Sequence, residues 1–508
     1  MILRNDSLDS LSDVTTSGNS TSPREIRKGM KVSMIRIMPR TLAEQLSDFQ
    51  QEHLLGGWDD LSPSRQAEFR RQLEGIDFAL IHELHEQSLR GVARHAGGDP
   101  RAFEAHPPSA LIRKDDTNVS RAEARARGEE MLANGEVGCL LVAGGQGTRL
   151  GHTLPKGVFP ISPVTNATLF QLLAEQVLAR SKKAGVAIPF FIMTSDATDA
   201  VTRNFFEKQD YFGLNPDDVY FFQQGTMPAV DATTGKILLA GPGCVATSPD
   251  GHGGVLTALA AADLFAVMHE RGLKYLYYHQ VDNPHAIVCD PEFLGHHALQ
   301  HSEASTKVVA KLGPDEKMGV MIELNGRTQI IEYSDLPKSV AERRTSNGEL
   351  EFWAGSTAMH VFNVDFLERF SMKGDELAFH LAHKAVSYWD NDRLNEPEKP
   401  NAYKFERFIF DVLPAARKSL VVETCREREF HPVKNATGAN SPEDVREALS
   451  RMHREWAEKA GIAVPAGIDV EISPLLALSA EEFCAAVGRQ PEPRKLPTGW
   501  YWGPDSNA

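Results

Sequence analysis

The stretch LLVAGGQGTRLGHTLPK, residues 140–156, sets one arginine, Arg149, and one lysine, Lys156, in a glycine-rich loop behind an apolar run. These are the residue types that a polyphosphate site requires. Gly144, Gly145 and Gly147 let the backbone turn sharply and approach a ligand without a Cβ in the way. Backbone amides in such a loop converge on anions, and Arg149 and Lys156 add mobile positive charge. Two common glycine motifs do not fit. A Walker A loop needs Lys and Ser or Thr directly after its second glycine, where this chain has Thr148 and Arg149. The dinucleotide fingerprint, counted from Gly145, needs glycine where Leu150 stands.

A second candidate follows another apolar run, in Val281-Asp282-Asn283. Ligands of open α/β sheets sit outside the carboxyl ends of the strands. A carboxylate placed there can hold Mg²⁺, which commonly binds through one or two carboxylates plus phosphates. A lone Asp at a strand end also serves as a turn or helix cap. Its pairing with the glycine loop favours the metal.

The string Leu141 to Lys156 resembles the signature loop of the eukaryotic-type UTP:sugar-1-phosphate uridylyltransferases, and roughly residues 137–450 are similar to the UDP-N-acetylglucosamine pyrophosphorylases within them. The matching blocks LLVAGGQGTRLG, FFIMTSDAT, MPAV, SPDGHGG, VDN, EYS and PVKNA run in the family's order from about 137 to 450. The resemblance implies UTP and a sugar 1-phosphate as substrates and a UDP-sugar and pyrophosphate as products. Gly144, Gly145, Gly147 and Thr148 would hold UTP, with Gln224 reading the uracil edge through its amide and Gly251 and His252 passing close to base and sugar. Glu332, Gly319 and Ser356 would meet the sugar, and Phe408 and Phe410 would wall its pocket. Arg149, Lys156 and Lys434 would neutralise the phosphates, and Asp282 would hold Mg²⁺. Each has a plainer alternative: His252 as a satisfied loop histidine, Phe408 and Phe410 as a core segment, Lys434 as surface charge. The chain departs from the family's pattern at Ser356 and His252, where asparagine is usual, and histidine at the second position also resembles the UDP-glucose enzymes. N-acetylglucosamine 1-phosphate is therefore the expected sugar, with glucose 1-phosphate or a broad range as the alternative. A non-catalytic nucleotide-sugar binding protein is the reading from another class. A dehydrogenase is disfavoured, because the interval where its acidic residue should end a second strand is the helical LFQLLAEQVL.

Positioning these residues calls for an α/β fold: a central mixed, largely parallel, Rossmann-like sheet flanked by helices. Apolar strands are predicted at 137–143, 188–194, 218–223 and 275–281, with helices between them in ATLFQLLAEQVLARSKKAG and GVLTALAAADLFAVMHERG, each closed by basic residues and glycine. Asn325-Gly326 between two apolar runs predicts a β-hairpin. Residues 136–414 form the expected catalytic domain. Before it, 1–39 is expected as a disordered tail and 40–135 as a helical region, where Ser62-Pro63 starts a helical stretch running to residue 89. After it, 415–508 is expected as a smaller C-terminal domain whose Trp500, Tyr501 and Trp502 pack against a neighbour or fray.

The 508 residues suffice for two or three domains, and 42% hydrophobic with 24% charged residues is an ordinary globular composition. A net charge of −15 argues against nucleic acid as a partner. Apolar runs fall short of the roughly 18 residues of a membrane helix, and the N-terminus lacks a secretory core, so no membrane partner is expected. Five scattered cysteines without a CxxC pair point to a reducing, cytoplasmic compartment. Protein partners are left open.

Overall fold

The computed structural model describes residues 41–92, 99–372, 377–488 and 492–504. The expected tail, residues 1–39, lies outside these. Ten strands form the central sheet: β1 (Leu111–Ile112), β2 (Val137–Val142), β3 (Phe190–Thr194), β4 (Val219–Gln223), β5 (Tyr275–Gln280), β6 (Ala304–Ala310), β7 (Val320–Leu324), β8 (Arg327–Ile331), β9 (Ala354–Asn363) and β10 (Ser419–Glu423). Their order is β1-β10-β6-β9-β5-β2-β3-β4, with the β7–β8 hairpin attached to β9. β5, β2, β3 and β4 are mutually parallel, whereas β9 runs antiparallel to both β5 and β6. The sheet is therefore mixed and largely parallel. β2 and β3 are buried along almost their whole length, as continuous apolar runs require when helices cover both faces.

Local chemistry explains the elements. Helix Leu169–Ala184 is capped by Thr168, whose side chain accepts the Gln171 amide, and ends at Gly185 with φ of 74°. Ser62 caps helix Pro63–Glu74 with proline in its first turn. Asn325 and Gly326, at φ of 52° and 69°, make the two-residue hairpin turn between β7 and β8.

Three expectations need correction. The apolar helical stretch closed by Gly272 is two helices, Val255–Ala261 and Leu264–Glu270, bent by 73° where Asp263 takes φ of 54°. The break lets Val255, Leu256 and Leu259 on one side and Leu264, Phe265 and Met268 on the other bury into one core layer. The helical stretch from Ser62 likewise divides, at Gly75, into Pro63–Glu74 and Phe78–Val92, the second opened by Asp77 accepting the Leu80 amide. The C-terminal aromatics neither fray nor await a neighbour: strand Gly499–Trp502 pairs with Val470–Ile472, and Trp502 is buried against Phe483. The sheet also draws β1 and β10 from either side of residues 136–414, since β10 pairs parallel with β6 and β1 pairs parallel with β10 to complete its edge. Among the described residues no single helix is long and apolar enough to cross a membrane.

The N-terminal helices are a buttress. Leu46, Leu54, Phe69, Leu73 and Phe78 pack with Val230, Ile237, Val245, Tyr403 and Phe405, behind the segments that carry Gln224 and Phe408. Gln51 donates to the Gly235 carbonyl and accepts the Ile237 amide.

Candidate active site

The parallel strands deliver their carboxyl ends to one edge, where Val142, Met193 and Gln280 lie in register. The loop after β2 folds back on itself: the amides of Gly147, His152 and Lys156 donate to the carbonyls of Leu154, Gly147 and Gly145. The amides of Gly144, Gly145 and Gln146 donate to no acceptor among the described residues, which leaves three adjacent donors for an anion. Among the described residues, nothing apart from its two chain neighbours lies within 4 Å of a Cβ built on Gly145, so the space beside it is open. Arg149 and Thr148 sit exposed on the same loop.

Lys156, Asp282 and the segment around Lys434 converge. The Lys156 ammonium lies 3.7 Å from Asp282 Oδ2 and donates to the Val433 carbonyl at 3.3 Å. The Val433 amide in turn donates to the Asp282 carbonyl at 2.7 Å. Residues 156, 282 and 433, far apart in sequence, thus share one site beside the glycine loop. Lys434 Nζ sits 5.9 Å from the Phe430 ring centroid.

Gln224 follows β4, buried, with its amide N–H on the Thr194 carbonyl. A Cβ on Gly144 would lie 2.6 Å from Gln224 Oε1, so the first loop and the expected base reader are in contact. Gly251 has φ of 87°, and a Cβ there would meet the Arg407 carbonyl at 2.4 Å. The chain itself requires that glycine. His252 turns toward Phe408: its ring stacks on that of Phe408 at 5.1 Å, and its Nδ1 accepts the Ile409 amide. Burial pushes the His252 imidazole down to about 4, so it is neutral at pH 7.

The expected sugar residues also meet. Ser356 donates its amide to the Gly319 carbonyl at 2.8 Å, and a Cβ on Gly319 would lie 3.0 Å from Glu332 Oε1. The Ser356 hydroxyl accepts the Ala358 amide within β9, at an irregularity of its pairing with β6 where Ala358 has φ of 56°. Phe408 and Phe410 stand 5.1 Å apart. Burial raises the Glu332 carboxyl above its ordinary range, with the charges of His380 and Lys434 pulling it back.

Several neighbours were not anticipated. His380 packs 4.3 Å from Phe408 and hydrogen-bonds Asp411 at 2.7 Å; burial opposes its charge, yet Asp411 leaves its pKa raised. With Glu332, Asp335, Arg101 and Phe410, His380 and Asp411 line a cavity of about 260 Å³. Asp250, directly before Gly251, is buried with one carboxylate oxygen unpaired, and burial lifts it to about 6. Asp411 adjoins Phe410 in sequence and could have been found beside it. His380 carries no local signal. A larger cavity of about 330 Å³, against helix Pro442–Lys459, holds none of the expected site residues.

Asp282 fits a Mg²⁺ ion as one half-buried carboxylate beside Lys156 of the glycine loop, which would leave the remaining positions to phosphates and water. No cluster of three or more His, Cys, Asp or Glu suited to a metal occurs among the described residues. An ion held here would be shared with its substrate rather than caged by protein.

The profile of the UTP–glucose-1-phosphate uridylyltransferase family matches residues 99–487. The chain is 35% identical over 469 residues to UDP-N-acetylglucosamine diphosphorylase 2 of Arabidopsis thaliana, covering 87% of this chain and 91% of that one. It is 33% identical over 455 residues to UDP-N-acetylglucosamine pyrophosphorylase of Saccharomyces cerevisiae, covering 86% and 95%. Its fold is similar to the crystal structure of uridine diphosphate N-acetylglucosamine pyrophosphorylase from Trypanosoma brucei in complex with inhibitor, with a TM-score of 0.76, 24% identity and 93% and 100% coverage.

Proposed function

The chain belongs to the UTP–glucose-1-phosphate uridylyltransferase family, and we infer that it is a uridylyltransferase joining UTP and a sugar 1-phosphate, N-acetylglucosamine 1-phosphate foremost, into a UDP-sugar and pyrophosphate. The observation that carries the mechanism is the convergence of Lys156, Asp282 and Val433-Lys434 beside the unpaired amides of the glycine loop. The attacking phosphate oxygen is already ionised at neutral pH, so no general base is needed. The protein's task is to align two anions and offset their repulsion. Arg149 and Lys156 would hold the β and γ phosphates that leave, and Lys434 would draw charge from the α phosphate. Asp282 would hold a Mg²⁺ ion, which supplies further neutralisation of the phosphates. Gln224 and Gly251 would present the uridine site, and Gly319, Glu332, Ser356, Phe408 and Phe410 the sugar site. A cytoplasmic location is part of this proposal, on the pattern of scattered cysteines.

One observation favours a second sugar. The Ser356 hydroxyl is engaged by the Ala358 amide and is too short to offer an amide's paired donor and acceptor, so glucose 1-phosphate is the runner-up. A panel of sugar 1-phosphates assayed for pyrophosphate release with UTP and Mg²⁺ tests both readings. N-acetylglucosamine 1-phosphate should give the highest kcat/KM, and EDTA should abolish turnover. Tight UDP-sugar binding without pyrophosphate release would reveal a binding protein instead.

A further inference from the structure

Asn283 follows Asp282 and is only 4% exposed. Its carboxamide is used at both ends. Nδ2 donates to the Glu429 carbonyl at 2.7 Å, and Oδ1 accepts the His431 amide at 3.2 Å. A side-chain amide that takes the C=O of one residue and the N–H of the second residue after it imitates the peptide group of a neighbouring strand. It pins the backbone on both sides of Phe430. The Phe430 ring is the surface over which Lys434 Nζ lies. Two residues beyond His431, Val433 is fixed by its amide on the Asp282 carbonyl and holds the Lys156 ammonium on its own carbonyl.

The clamp has a rigid footing. The Glu429 carboxylate is held by Thr424 and by the buried Lys307 of β6, and Lys307 also meets Asp290 at 2.7 Å. The stretch 429–434 therefore refers its position to the sheet through Glu429 and to the Asp282 turn through Asn283.

We propose that Asn283 is a positioning residue that sets both phosphate-facing lysines, Lys156 and Lys434, relative to Asp282. This rests on the phosphate roles proposed above for those lysines. Asn283 contributes no charge and no proton. It fixes a distance, and misplacing a charged group by about an ångström can cost on the order of 10²-fold in rate.

Two substitutions separate this role from simple packing. Asn283→Ala removes both hydrogen bonds. Asn283→Asp keeps the shape and the acceptor for His431 but loses the donor to Glu429 and sets a carboxylate against that carbonyl, so it stands as the near-isosteric test if the alanine variant folds poorly. Both are expected to lower kcat by about 10- to 100-fold while KM for UTP moves less than about threefold. Combining Asn283→Ala or Asn283→Asp with Lys434→Ala gives the decisive measurement. If Asn283 works through the two lysines, the loss in the double variant should fall at least about threefold short of the product of the two single losses, the remainder being the part exerted through Lys156. Losses that multiply, with Lys434→Ala itself impaired, overturn this proposal and leave the phosphate role of Lys434 standing. Wild-type turnover in Lys434→Ala overturns both. Wild-type kcat in a folded Asn283→Asp overturns the clamp alone.

Discussion

Arg149 and Asp250 represent two kinds of residue in this site, one free and exposed, the other buried and short of a partner. Arg149 makes no hydrogen bond or ion pair among the described residues, so its removal should leave the fold intact. Arg149→Ala is expected to lower kcat by about 10² to 10³, the scale of losing one preorganised donor at a developing charge. Unchanged turnover in steady-state assays would place Arg149 outside the site. Asp250 bears on stability. Its folded pKa of about 6 lies above the ordinary 3.8 because burial disfavours the carboxylate, the Arg407 charge notwithstanding. The folded protein then holds the proton more tightly than the unfolded chain. The stability this lends is fully present below pH 3.8 and is lost as pH rises through 6. An amide stays neutral throughout, so Asp250→Asn should gain about 2 kcal/mol relative to wild type between pH 4.5 and 7.5 in urea titrations. A pH-independent difference between the two proteins would show that the Asp250 carboxyl is not perturbed.

At the scale of elements, the loop after β2 and the end of β4 work as a pair. Gly144 is buried, its carbonyl takes the Ser195 hydroxyl at 2.8 Å, and its Cα faces Gln224. The atom that a Cβ at residue 144 would strike is the far end of a flexible side chain, so the strands can keep their register while Gln224 moves. Gly144→Ala is therefore expected to raise KM for UTP by about 10-fold, the loss of roughly one well-made hydrogen bond, with little change in thermal stability. A variant that keeps the wild-type KM would separate Gln224 from the base. Gly251 makes the contrast: its φ of 87° and the Arg407 backbone 2.4 Å from a Cβ leave a side chain nowhere to go.

For the whole molecule, the N-terminal helices are docked on the segments around Val230, Ile237, Val245, Tyr403 and Phe405 rather than appended to the sheet. Gln51 is the test of that docking. It is buried, and both ends of its amide satisfy backbone groups of 235–237. Gln51→Ala would leave a buried N–H and a buried C=O without partners, at a cost of about 1 to 3 kcal/mol. We expect a lower urea midpoint, with kcat preserved because the phosphate-side residues lie elsewhere. An unchanged midpoint would show that the N-terminal helices contribute nothing to the stability measured.

The strands β2, β3, β4 and β5 and the capped helix Leu169–Ala184 were legible in the sequence because their signals are local: uninterrupted apolar runs, a threonine cap, a closing glycine. The glycine loop was legible for the same reason, since four glycines, an arginine and a lysine within 13 residues constrain a backbone by themselves. The resemblance of ordered blocks added the family. What only the tertiary structure decided is every relation across distance in the chain: Lys156 beside Asp282 and Val433, His252 turned onto Phe408, His380 paired with Asp411, and Asn283 clamping 429–431. The bend at Asp263 belongs with these, because helix periodicity continues through it and only packing of both halves on one core layer favours the break. Local propensity is set by neighbours in sequence, whereas a site is set by which strand ends the sheet order brings side by side, and that order depends on the free energy of burying all its faces at once.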